Sequence, residues 1–318
     1  GTRLEAPRFD SDGHTLVWLE GRSGRGVLVT QDLDAADAPR DLTSDLSVRA
    51  EVGYAGGDFA VHNEHAYFVV HKQGRIYRQA VQGGDAQPIS PASGEAASPA
   101  PSPNGKWVAY VHHDDEEIDR LAVVDVEGSH WPQILVSGAD FYMQPRFSLD
   151  GKQLAWIEWD HPNMPWDGTR LCLADVEEPS NGLLPRLNNV RTIAGGNDVA
   201  IFQPEFTPDG KLLYVSDETG WARLAIHDLN SDERRWLSPE GVECSLPAWV
   251  QDRRTFALSS SGNYAIAAFN ENAQHRLMRI DLESGECHAV EALVNCTAVE
   301  HRTSSPQGDR IAFWGSSA

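Results

Sequence analysis

The chain has 318 residues and carries 47 acidic against 26 basic side chains, a formal net charge of −21 that disfavours nucleic acid and anionic membrane surfaces as partners. No apolar run approaches the roughly 18 residues of a helical membrane span, and no signal-peptide pattern opens the chain. The expected location is the cytoplasm, although Gly1 in place of Met leaves room for a trimmed leader.

Taken in chain order, the first strong pattern is PRFDSDGHTLVW from Pro7, a proline and an aromatic, then a D-G pair and an apolar run. It returns as PAPSPNGKWVAY from Pro99, PRFSLDGKQLAW from Pro145 and PEFTPDGKLLYV from Pro204, always with six positions from Pro to Gly. Two degenerate copies follow: PAWVQDRRTFAL from Pro247, where Arg253 stands for the glycine, and RTSSPQGDRIAF from Arg302, where arginine stands for the proline. Asp-Gly and Asn-Gly favour the positive dihedrals of a tight hairpin turn and the flanks suit strands, so each phrase reads strand, turn, strand. Third strands follow as RLAVVDV from Arg120, RLCLADV from Arg170, RLAIHDL from Arg223 and RLMRIDL from Arg276, with fourth strands at RTIA from Arg191 and RRWLS from Arg234.

A fixed period of this size marks a repeat protein, and four short antiparallel strands per repeat describe a β-propeller blade. Later starts lie 46, 59, 43 and 55 residues apart, while the first gap of 92 is twice 46. A blade without the Asp-Gly signature is therefore expected near residue 53, built from YAGGDFAVHNEHAYFVV and GRIYRQAV. The expectation is one all-β domain over 1–318: a seven-bladed propeller with starts near 7, 53, 99, 145, 204, 247 and 302. Sixteen residues follow Arg302, enough for two strands, so the last blade is expected to be incomplete.

Cys172, Cys244, Cys287 and Cys296 have no metal-binding CxxC spacing and read as free buried thiols, with a Cys287–Cys296 disulfide as the alternative. The run His112, His113, Asp114, Asp115, Glu116, Glu117 has the residue types of a metal site. Alternation along a strand points neighbours to opposite faces, however, so a solvated turn is expected, and no metal or cofactor is implied. No serine has the G-x-S-x-G elbow of an α/β-hydrolase, and the phosphate-binding glycine loops are absent too. The most unusual stretch is WIEWDHPNMPWDGTRLCLADV from Trp156. Pro162 and Pro165 stiffen its loop, and Trp159 and Trp166 either offer an exposed contact surface or fill the gap between blades.

With those residues in view, the blade phrases resemble the TolB-like propeller repeat, and WDHPNMPWDGT from Trp159 resembles a signature of prolyl oligopeptidase family serine peptidases. The acylaminoacyl-peptidase and dipeptidyl-peptidase-like branch is similar in three more places: RAEVGYAGGDFAV from Arg49, DETGWARL from Asp217 and LPAWVQDRRTFAL from Leu246. Departures are Val52 and Gly53 inside the first, Arg223 for the usual Asn, and Phe256 for Tyr. The resemblance implies an N-terminal propeller that admits short peptides to a C-terminal α/β-hydrolase domain, absent from this sequence, which would carry the Ser-Asp-His triad. It implies no catalytic residue here. Glu51, Tyr54, Trp159, His161, Asn163, Trp166 and Asp167 are the residues expected to face that domain or its substrate. Some relatives use a propeller glutamate pair for the peptide amino group; Glu116 with Glu117 and Glu177 with Glu178 lack matching flanks, so neither pair is assigned. Two rivals stand: a separate TolB-like binding module, against which an unpaired blade edge argues, and a metal-dependent sugar lyase, whose converging histidines do not recur at one blade position.

Overall fold

The computed structural model describes residues 2–53, 55–180, 182–271, 274–290 and 296–317. Six antiparallel sheets of four strands follow one another as simple meanders, their first strands at Arg3–Phe9, Phe59–His62, Glu95–Pro101, Phe141–Phe147, Ile201–Phe206 and Phe256–Leu258. These first strands stand side by side around a central axis, and a two-stranded sheet of Cys296–Ser304 and Ile311–Ser317 lies between the sixth and the first. The architecture is a β-propeller with six four-stranded blades rather than the seven expected. Its ring closes through Ser305 Oγ, which donates to Gly13 O at 2.8 Å, and Gln307 Nε2, which donates to Ser11 O at 2.8 Å.

Both faces of each second strand are covered by neighbouring blades, so these strands read as unbroken apolar runs. Trp107 to Val111 and Leu154 to Ile157 are buried throughout. The resulting core is a series of inter-blade clusters, one joining blades two to four and another joining blades four to six. Each fully buried large side chain there contributes on the order of 2 kcal/mol. Cys172 and Cys244 lie in these clusters as free thiols, pushed up to about 12 and about 11 by burial. Cys287 is a half-buried free thiol, and the Cys296 side chain lies outside the described residues.

The repeated phrase has a more specific geometry than a two-residue turn. Ser102 N donates to Trp107 O and Gly105 N to Ser102 O, both at 2.8 Å, enclosing a four-residue connection in which Gly105 alone is left-handed, at φ 68°. Asn104 takes another role: its Oδ1 accepts the Ser102 hydroxyl at 2.7 Å and the Lys106 N–H at 3.0 Å. Ser148 and Asp150 repeat the arrangement. The phrase's proline also has a reason. Ala6, Ser98, Gln144 and Gln203, each just before it, have φ between 47° and 53° and sit where strand register shifts. Proline has no N–H to offer a ladder interrupted by such a bulge.

The bulges turn polar groups toward the next blade. Ser98 N donates to Gly57 O at 2.8 Å, Gln203 N to Gln144 Oε1 at 2.8 Å, and Thr255 N to Gln203 Oε1 at 2.6 Å. A belt of hydrogen bonds thus ties successive innermost strands where their ladders break.

The copy at Pro247 is the exception. It forms no hairpin at Asp252-Arg253; the sixth blade's hairpin turns instead at Ser259 to Gly262, with Gly262 at φ 72°. Segment 249–254 crosses the axis instead: Gln251 N donates to Ala55 O of the second blade and Gln251 Nε2 to Tyr142 O of the fourth, both at 2.8 Å. Arg253 O accepts from Gln144 Nε2 at 3.1 Å. Proline and an aromatic followed by an aspartate imitate the phrase, but no glycine is present to take the left-handed turn position.

Candidate functional site

One end of the propeller carries the connections between blades and the second-to-third-strand loops; we call it the loop face. The opposite end carries the glycine turns. On the loop face, the 159–169 loop begins where the second strand of blade four, Gln153–Trp159, pairs with Phe141. Trp159 is 1% exposed and stacks on Phe141 with ring centroids 5.1 Å apart, and His161 meets Phe141 edge-on at 4.8 Å. Of the two tryptophans only Trp166 is exposed, at 37%. Strand pairing draws Trp159 into the core, whereas Trp166 lies beyond the last paired residue.

The rest of the loop is tied to the start of blade five. Asn163 Nδ2 donates to Asn197 O at 2.7 Å, Asp167 Oδ2 accepts from Met164 N at 2.9 Å, and Thr169 Oγ1 bonds both the N–H and the carbonyl of Ile201. Gly168 is required by close approach, since a Cβ there would collide with the carbonyl of Asn197. Trp166 and Pro165 then form one wall of a 370 Å³ cavity whose other walls include Phe202, Leu246 and Pro247. Two carboxylates border it: Asp217, which accepts from Ala200 N at 2.7 Å, and Glu243, which accepts from Ala222 N at 2.8 Å. Burial raises the pKa of Asp217. An apolar cavity edged by carboxylates has the chemistry to seat an organic cation or the amino end of a peptide.

The expected site residues are only partly brought together. Trp166 lines the cavity, Asn163 and Asp167 shape the loop behind it, and Trp159 with His161 anchors the loop to blade four. Glu51 lies apart, 3.4 Å from His71 and 3.6 Å from Arg49, and Tyr54 lies outside the described residues. The unassigned glutamate pairs are occupied elsewhere: Glu178 binds Lys106 at 2.7 Å, Glu177 accepts from Asn188 Nδ2 at 2.9 Å, and Glu116 and Glu117 lie in the turn before Asp119.

Asp58, beside the 49–57 segment, was not expected as a site residue. Half-buried, it accepts from Ala50 N at 2.8 Å, and burial, with repulsion from Glu5 and Asp252, pushes its carboxyl up to about 6. A raised folded pKa contributes stability that is full below the ordinary value of 3.8 and lost as pH rises through about 6. Asp58→Asn is therefore expected to be about 1–2 kcal/mol more stable than wild type at pH 7, after discounting for solvent, and no more stable at pH 3.5. Urea titrations at the two pH values check this, and an equal shift at both would rule it out.

A second group missed in the sequence closes the axis. Asp252, on the crossing segment, binds Arg8 at 2.7 Å and Arg146 by a short contact, and Glu205 lies 3.5 Å from Arg146 and 3.7 Å from Arg254. The usable signal was weak: Arg8 and Arg146 follow the proline in two copies of the phrase, whereas Glu205 takes that place in a third.

No protein-family model matches the sequence, and no curated protein matches it. Solved structures do match. Against a puromycin hydrolase the TM-score is 0.86 at 27% identity, covering 99% of this chain and 50% of that one. A puromycin-hydrolyzing peptidase of Mycobacterium tuberculosis gives 0.83 at 24% identity, over 95% and 47% of the two chains. Prolyl oligopeptidase B from Galerina marginata gives 0.68 at 12%, over 99% and 47%, and at that identity speaks for the fold alone. The chain spans about half the length of each. Its structural neighbours are thus propellers of puromycin hydrolase and prolyl oligopeptidase type, as the motifs imply.

Proposed function

We propose that this chain is the propeller part of a serine peptidase of the prolyl oligopeptidase type, acting on short peptides with an α/β-hydrolase domain set against the loop face. The observation that carries the reading is the match of nearly the whole chain to half of a puromycin hydrolase at 27% identity. In this reading the two-stranded sheet is the inner half of a seventh blade. Segment 249–254 obstructs the axis, so peptides approach the catalytic domain from the side, past the loop bearing Trp166. The propeller acts as a size filter: a folded protein cannot enter, whereas a flexible chain can. The 370 Å³ cavity, with its carboxylates and Trp166, contributes to the path.

The reading is tested by translating the native gene beyond the codon for Ala318 and assaying the complete protein on aminoacyl chromogenic substrates. A G-x-S-x-G elbow in the added sequence and a drop of about tenfold in kcat/KM for Trp166→Ala, worth about 1.4 kcal/mol, are expected. A gene that ends without the elbow overturns it and leaves a separate binding module.

A further inference from the structure

On the face opposite the loops, beside the segment that closes the axis, lies a 280 Å³ cavity lined by Arg8, Arg146, Arg254, Asp252, Ser11 and Ser304, among others. We propose that this cavity binds a small oxyanion, a carboxylate or a phosphate, through Arg254 assisted by Arg8 and Arg146.

Three guanidiniums share this cluster with two carboxylates, Asp252 and Glu205, the only acids in ion-pair contact with them among the described residues. The arginines are unequally served. Arg8 donates to Asp252 Oδ2 at 2.7 Å and to Pro7 O at 2.9 Å, and Arg146 donates to Asp252 and to Pro145 O. Arg254 approaches Glu205 only to 3.7 Å and Asp252 to 3.9 Å, and makes no hydrogen bond among the described residues. Its side chain is 22% exposed: Nε is buried without a hydrogen-bond partner, while the terminal nitrogens have no protein acceptor and reach the cavity and its water. Burial and the charges of Arg8 and Arg146 push its guanidinium down to about 10, a cation placed where another negative charge would stabilise it.

Neither Asp58, which repels Asp252, nor Asp10 forms an ion pair with these arginines among the described residues. Asp10 accepts the Glu64 N–H at 2.9 Å, and burial raises its pKa. His62 is held between Ser11 Oγ at 3.0 Å and Pro103 O at 3.2 Å, and burial lowers its pKa, which favours the neutral ring. Thr303 adds a hydroxyl to the cavity, those of Ser11 and Ser304 being engaged by His62 and Leu258 O, and Phe9, Phe147 and Pro306 add an apolar rim. The volume holds about nine waters, enough for a carboxylate or phosphate with a short stem. The protein's overall charge repels anions at long range, so capture depends on these contacts and not on steering.

The experiment is a titration of the 318-residue protein, observing arginine Nε–Hε signals by NMR, with inorganic phosphate, with succinate and with chloride at matched ionic strength. A saturable shift of the Arg254 signal by phosphate identifies a phosphate site, and one by succinate a carboxylate site; either supports the proposal. Chloride is expected to give a small, non-saturating change, and Arg254→Gln to raise the dissociation constant at least tenfold. Arg254→Lys, which retains the charge but not the fork, serves if the glutamine variant does not fold, and is expected to weaken binding less. Equal responses to all three salts, or binding unchanged in the variant, would overturn the assignment.

Discussion

Asp252→Asn is expected to lower stability at pH 7 by about 3–5 kcal/mol, because it removes one partner of a buried charge cluster and leaves the others uncompensated. Asp252 is 8% exposed and sits between Arg8 and Arg146, and these charges outweigh burial and hold its carboxyl far below the ordinary range. An asparagine keeps the shape, but its amide points a donor at a guanidinium, and donors facing donors cannot pair. The pH dependence has a definite sign. A depressed folded pKa contributes stability that is complete above the unfolded value near 3.8 and is lost as the pH falls below it toward the folded pKa. Wild type is therefore expected to lose this contribution in acid, while Asp252→Asn, lacking it throughout, loses less between pH 5 and pH 2. Adding Arg254→Gln to Asp252→Asn should recover part of the loss, since the guanidinium with the weakest pairing is then gone. Urea midpoints for both variants decide the matter; a loss below 1 kcal/mol, or strict additivity, would sink the account.

The same cluster shows where reading the residues stops. The third strands of blades three to five, such as RLAVVDV and RLCLADV, were legible because strands covered on both faces are apolar through their buried middle residues, between an Arg and an Asp at the ends. The blade near residue 53 was legible from spacing even without its turn signal. The Pro247 copy misled because PAWVQDRRTFAL shares the phrase's composition, while what decides its path is an ion pair between residues 244 apart and hydrogen bonds to blades two and four. Neither contact leaves a local periodicity. The residues before the prolines, Ser98, Gln144 and Gln203, did carry a signal: small or amide side chains recur at the bulge, and only the folded ring shows that they bond the neighbouring blade. Glu51 and Trp166 were grouped by motif resemblance, and the fold separates them, since one precedes blade two and the other follows the second strand of blade four.

Trp159→Ala is expected to cost about 3–5 kcal/mol, the range for truncating a large aromatic in a packed core, while Trp166→Ala, seven residues along the same loop, costs less than about 1 kcal/mol. Trp159 belongs to the cluster that joins blades four to six, and its loss opens a cavity beside Phe141 and frees the loop's first anchor. Trp166 keeps over a third of its surface in water and fills no core space. The two effects separate scaffold from contact surface: Trp159→Ala should lower the urea midpoint and loosen the loop without changing residues at the cavity, whereas Trp166→Ala should leave the midpoint in place and alter only what the cavity holds. Comparable destabilisation by both would mean that Trp166 is also a core residue and that the cavity it walls is a packing defect. A large loss from Trp159 alone places the role of Trp166 on the surface, as the proposed contact with substrate or a neighbouring domain requires.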